Sequence, residues 1–111
     1  MINITIGFEG DLICSIQAKG HSGYAKSGSD IICSAVSTLT QNCEKGLKEL
    51  LLINTKYVVD EKIPYLSVVL PKDLTEDQLH DAQIILKSTY LGLKDLADSY
   101  PKYISIKEKR K

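Results

Sequence analysis

Two stretches of this chain carry apolar residues at helical spacing, and each follows a pair of short segments in which apolar and other residues alternate. This order of periods restricts the fold more than any single motif does. In the first pair, Ile2, Ile4, Ile6 and Phe8 alternate, Glu9-Gly10-Asp11 supplies a turn, and Leu12, Cys14 and Ile16 alternate after it, which predicts a hairpin with those residues inward. Ile32, Val36, Leu39, Cys43, Leu47 and Leu50 then recur at steps of three and four, the stripe of a core-facing helix. Ser29 or Asp30 can cap it. Gly46 inside the stripe costs about 1 kcal/mol relative to alanine, which points to close packing against a neighbour.

The second hairpin pattern is "TKYVVDEKIPYLSVVLP", with its bend at Asp60-Glu61-Lys62. A second helix follows, opened by the capping-box pair Thr75 and Gln78 and by acidic Glu76 and Asp77. Leu79, Ala82, Leu86, Tyr90, Leu93 and Ala97 mark its buried side, Pro101 stops it, and "KYISI" reads as a short closing strand. The predicted order is ββαββαβ. Burying both stripes calls for an α/β chain of α+β type, with two helices on one face of a mostly antiparallel sheet. At 111 residues the chain is a single domain, 1–111.

Fourteen basic residues balance fourteen acidic ones, so no global field steers the chain toward nucleic acid or anionic lipid. The cluster "KEKRK" at 107–111 reads as a frayed, solvated terminus. No run approaches the roughly 20 apolar residues of a membrane span, and "MINITIGF" lacks the pattern of a signal peptide. A cytoplasmic protein with reduced cysteines is expected.

The three cysteines differ in setting. Cys33 and Cys43 lie ten residues apart on one helix, about 15 Å along its axis. No paired cysteines or histidines complete a metal set, so no metal and no cofactor is expected. Cys14 and Cys43 occupy apolar positions and read as core. Cys33 instead sits in a first helical turn, where free N–H groups and the macrodipole favour negative charge. His21 stands at the far end of the glycine- and serine-rich segment "GHSGYAKSGSDIIC". Such surroundings activate a thiol, the more so with an imidazolium alongside. The spacing permits a Cys33–His21 pair and equally permits two unrelated residues. A phosphate cradle at 28–32 is a weaker reading, because the glycines follow neither G-x-x-x-x-G-K-[ST] nor G-x-G-x-x-G. His80 reads as a surface residue without a role.

The segment "GHSGYAKSGSDIICSAVSTLTQ", 20–41, closely resembles the signature of the ribosomal-processing cysteine protease (Prp) family. There the pattern is Gly-His-Ala-Gly-Tyr, a variable stretch, Gly-x-Asp-Ile-Val-Cys-Ala-Ala-Val-Ser and Leu-Thr-Gln. Ser22, Ile32 and Ser34 depart from it mildly, and none removes a group the chemistry needs. The resemblance implies a small homodimeric protease that removes the N-terminal extension of the precursor of large-subunit ribosomal protein twenty-seven. It makes Cys33 the nucleophile and His21 the general base. Gly20, Gly23, Gly28, Asp30 and Ser37 match as supporting positions.

Asp30 would either orient His21 or only cap the helix. N–H groups around Cys33 are the expected donors to an oxyanion. The substrate implied by the resemblance has aromatic residues near the cut, so an apolar groove is expected beside Cys33, with Tyr24 and Tyr57 in its walls. Residues 22–29 suit a segment that orders around a peptide, or an ordinary surface loop. The competing reading, from a different class, is a ribosome- or RNA-associated binding protein with a structural cysteine and a contact tail at "KEKRK". The charge balance disfavours direct RNA binding.

Overall fold

The computed structural model describes residues 1–20 and 30–111. Strand β1 (Ile2–Glu9) turns through Gly10 into β2 (Leu12–Lys19); helix α1 spans Ile31–Lys45 and widens into a π-helical turn at Gly46–Leu50. Strands β3 (Lys56–Asp60) and β4 (Tyr65–Val69) form the second hairpin, followed by helix α2 (Glu76–Ser99) and β5 (Ile104–Arg110). The five strands make one sheet in the order β3-β4-β2-β1-β5. Three pairings are antiparallel, and β5 runs parallel to β1. Both helices pack on this sheet, as the order of periods predicts. Ile4, Ile6 and Ile16 from the strands meet Ile32, Leu47, Leu86 and Leu93 from the helical segments, each at most 1% exposed.

The capping box forms as read: Thr75 Oγ1 accepts from the Gln78 amide at 3.1 Å, and the Thr75 amide donates to Gln78 Oε1 at 3.1 Å. Gly46 is also tight against a neighbour. A Cβ there would lie 3.3 Å from Ile85 Cδ1 of α2, so the missing side chain lets the helices approach.

Four local expectations change. In β2 the inward residues are Ile13, Ile16 and Ala18, while Leu12 is exposed and Cys14 only half-buried. Pairing steps from Gly7↔Ser15 to Phe8↔Ile13, leaving Cys14 as the extra residue of a β-bulge, and that insertion reverses the alternation beyond it. Helix α2 holds the bulge in place. The Ile13 amide donates to Gln83 Oε1 at 2.7 Å, and Gln83 Nε2 donates to the Ile13 carbonyl at 2.8 Å. Gln83→Leu keeps the volume but strips both backbone groups of their partner. A loss of about 1–3 kcal/mol is expected in urea unfolding; an unchanged midpoint would show that water substitutes for the amide.

Leu50 does not join the helical stripe: it is 77% exposed. The π-helical turn has more residues per turn than an α-helix, so it keeps Leu47 inward and rotates Leu50 out. Ile53 fills the core instead, its amide bonded to the Leu47 carbonyl at 3.0 Å.

The C-terminal cluster is not frayed. Residues 107–110 extend β5 along β1, with Lys107 opposite Thr5 and Arg110 opposite Phe8. The Arg110 guanidinium lies 4.3 Å from the centroid of the Phe8 ring and 2.8 Å from Glu108. Tyr90 of α2 donates its hydroxyl to Glu108. Desolvation, the Glu108 hydrogen bond and the Glu108 charge push that phenol up to about 12. The fourth change concerns Tyr57 and belongs with the site.

Candidate active site

Helix α1 begins where its first unpaired amides find a cap. Asp30 has extended backbone angles, and its Oδ1 accepts from the amides of Ile32 at 2.9 Å and Cys33 at 3.1 Å. Of the two caps open in the sequence, Asp30 is the one used. Its other oxygen, Oδ2, lies 3.1 Å from Cys33 Sγ and accepts the thiol proton. Asp30 is itself 3% exposed. One buried carboxylate therefore fixes both the start of the helix and the side chain of Cys33.

This geometry bears on two expectations. The capping role of Asp30 is realised; the alternative, orientation of His21, involves a residue outside those described. The amides near Cys33 are also already engaged, those of Ile32 and Cys33 by Asp30 Oδ1 and that of Ser34 by the Asp30 carbonyl at 3.1 Å. A substrate oxyanion would compete with Asp30 for them. Ionised sulfur beside this carboxylate would place two negative charges together. The contact seen is that of a thiol donating to a carboxylate.

Cys33 lines a cleft of about 260 Å³. One side is α1, through Cys33, Val36, Ser37 and Gln41; the other is the β3–β4 turn, through Val59, Asp60, Glu61, Pro64 and Tyr65. Gly20 lies at the end of β2 in the same cleft. Its φ is +100°, and a Cβ there would sit 2.5 Å from the Met1 carbonyl oxygen. Its amide donates to the Pro64 carbonyl at 2.8 Å. The last described residue before His21 is thus pinned on two sides.

Gly20, Asp30, Cys33 and Ser37, the candidate site residues within the described part of the chain, all reach this one cleft. His21, Gly23 and Gly28 lie outside the described residues, as does Tyr24. Tyr57 is not a wall. It is 39% exposed on β3, opposite Val68, and it is Tyr65 that lines the cleft. Sequence reading had no local signal for this wall. The turn at 61–64 reaches α1 only because β4 pairs with β2, a contact between segments some fifty residues apart along the chain.

The other two cysteines are placed differently. Cys43 is 1% exposed, and burial pushes its thiol up, with Glu44 adding to the effect and a hydrogen bond with Thr89 opposing it. This agrees with a packing role. Cys14 is the bulge residue described above. His80 is exposed on α2, with Nδ1 3.0 Å from Asp81. Among the described residues no helix is long and apolar enough to cross a membrane.

Comparison with known proteins converges on one group. The model of the family described as "Cysteine protease Prp" matches residues 1–105. The ribosomal processing cysteine protease Prp of Mycoplasma pneumoniae is 30% identical over 111 residues, covering 100% of this chain and 98% of that protein. A crystal structure from Streptococcus mutans superposes with a TM-score of 0.86 at 28% identity, covering 100% of this chain and 96% of that one. The essential ribosomal processing protease Prp of Staphylococcus aureus, in complex with a covalently linked product peptide, shares the fold at a TM-score of 0.85 and 20% identity, covering 98% and 100%. A signature read from residues 20–41, a cysteine in the first turn of an aspartate-capped helix, and a match running nearly end to end agree: this chain belongs to the Prp family of cysteine proteases.

Proposed function

We propose that this chain is a cytoplasmic endopeptidase, homodimeric and with residues 1–111 as a single protease domain. Its substrate is the precursor of large-subunit ribosomal protein twenty-seven, from which it removes the N-terminal extension. The observation that carries this reading is the convergence of Gly20, Asp30, Cys33 and Ser37 on one open cleft. Side chains collected by local helix packing alone would have no reason to share an opening of that size with a turn from another hairpin.

Cys33 is the nucleophile in this reading and His21 the general base. His21 takes the proton of the Cys33 thiol, and the sulfur attacks the scissile carbonyl. The imidazolium then gives that proton to the leaving amine. A thioester joins the substrate's acyl part to Cys33 until water, activated by neutral His21, hydrolyses it. The Staphylococcus aureus relative has been crystallised with a covalently linked product peptide and, separately, with a substrate peptide. Both support a peptide as the substrate class. The binding-protein alternative rests on the basic tail, of which Arg110 is engaged with Phe8 and Glu108 while Lys107 and Lys109 are exposed on β5.

Incubating the purified chain with the extended precursor should yield a single new N-terminus by mass spectrometry. A precursor that keeps its extension at equimolar enzyme would overturn the substrate assignment.

A further inference from the structure

Among the described residues, the cleft beside Cys33 carries one sign of charge. Its described lining contains three carboxylates, Asp30, Asp60 and Glu61, and no Lys, Arg or His, although the whole chain balances at zero. Asp30 is buried and occupied with the helix start and Cys33. Asp60 and Glu61 differ: both are exposed, on the wall facing α1. Neither forms an ion pair with a described residue. Lys62, next in the turn, does not line the cleft.

Asp60 is held in place. Asp60 Oδ1 accepts from the amides of Lys62 at 2.9 Å and Ile63 at 3.2 Å, which folds the turn around its own side chain. At the far end of the turn the Pro64 carbonyl accepts from Gly20. The rest of the cleft is largely apolar, through Ala18, Val36, Val59 and Leu66. An extended peptide entering such a space meets an apolar surface with exposed negative charge on the β3–β4 wall, and charge of one sign along a wall favours the opposite sign in its ligand.

We propose that Asp60 and Glu61 are specificity-determining residues, selecting a peptide with a Lys or Arg within about three residues of the scissile bond, the reach of a cleft this size along an extended chain. The inference rests on the reading of Cys33 as a peptidase nucleophile.

The test is a series of fluorogenic peptides spanning the cleavage region, with Lys, Gln or Glu placed in turn at each of the positions flanking the cut. The unmodified protein should favour Lys over Gln at one position by about 2–5-fold in kcat/KM, as exposed charge pairs allow, and Glu should be worst. High salt should shrink the preference. In the Asp60→Asn/Glu61→Gln double variant, which keeps an oxygen for the turn, the Lys-to-Gln ratio should fall to about one. Each ratio is internal to one protein, so a loss of folded enzyme cancels from it. An equal ratio in both proteins, or no position that favours Lys, overturns the inference. Binding of the same peptides to Cys33→Ala by fluorescence anisotropy separates the two readings. If the unmodified chain cleaves nothing yet Cys33→Ala binds Lys peptides more tightly, the peptidase reading fails while the acidic wall stands.

Discussion

Cys33→Ala should lower cleavage of the precursor by on the order of 10⁴-fold or more, the scale seen when a covalent nucleophile is removed, while leaving thermal unfolding close to the parent. The second half follows from position. Cys33 is only half-buried, at the first turn of α1, where alanine is a good helix former and the Asp30 cap to the backbone amides survives. His21→Ala should lose about 10²–10⁴-fold, the usual range for a general base. Its effect should shrink when an external imidazole is supplied.

Alkylation supplies a readout independent of turnover. In the native protein Cys33 should react ahead of Cys43, which is 1% exposed and has its thiol pushed up by burial. Near-parental cleavage by Cys33→Ala would move the chemistry elsewhere. Equal labelling of Cys33 and Cys43 would leave no role for the helix terminus.

Gly20→Ala is the second large effect. Two penalties combine there. A side chain in the left-handed region costs about 1–2 kcal/mol, and the new Cβ would lie 2.5 Å from a backbone oxygen, that of Met1, so the chain itself has to shift. Gly10→Ala is the matched control. Its φ is +60° but nothing lies within 4 Å of the added Cβ, so only the first penalty applies. Gly20→Ala should therefore unfold at distinctly lower urea than Gly10→Ala. It should also lose activity beyond its loss of folded protein, because the shift falls on the residue joined to His21 and bonded to Pro64 across the cleft. Equal destabilisation of the two variants, with activity tracking stability, would show that Gly20 serves the turn and not the site.

The elements that were legible are those whose causes are local. The stripe from Ile32 to Leu47, the Thr75–Gln78 box, the Asp60 bend and the stop at Pro101 all follow from interactions within a few residues. The candidate nucleophile was legible for the same reason. Its chemistry comes from its place in a first turn, and a nearby aspartate sets that turn. The failures have non-local causes. The bulge at Cys14 exists because Gln83, seventy residues on, supplies the hydrogen bonds it needs. The basic tail is a strand because β1 offers it a free edge and Phe8 and Tyr90 engage its side chains.

By itself, then, the chain's sequence determined the kinds of element, their order and the residue at the start of α1, because periodicity, capping and turn chemistry act over a few residues. Only the tertiary structure decided what faces Cys33. Pairing β4 against β2 carries the β3–β4 turn to the mouth of the helix, and with it Tyr65 and two carboxylates. That contact depends on which strand finds which partner, a choice made by burial of the whole sheet face and not by any segment alone.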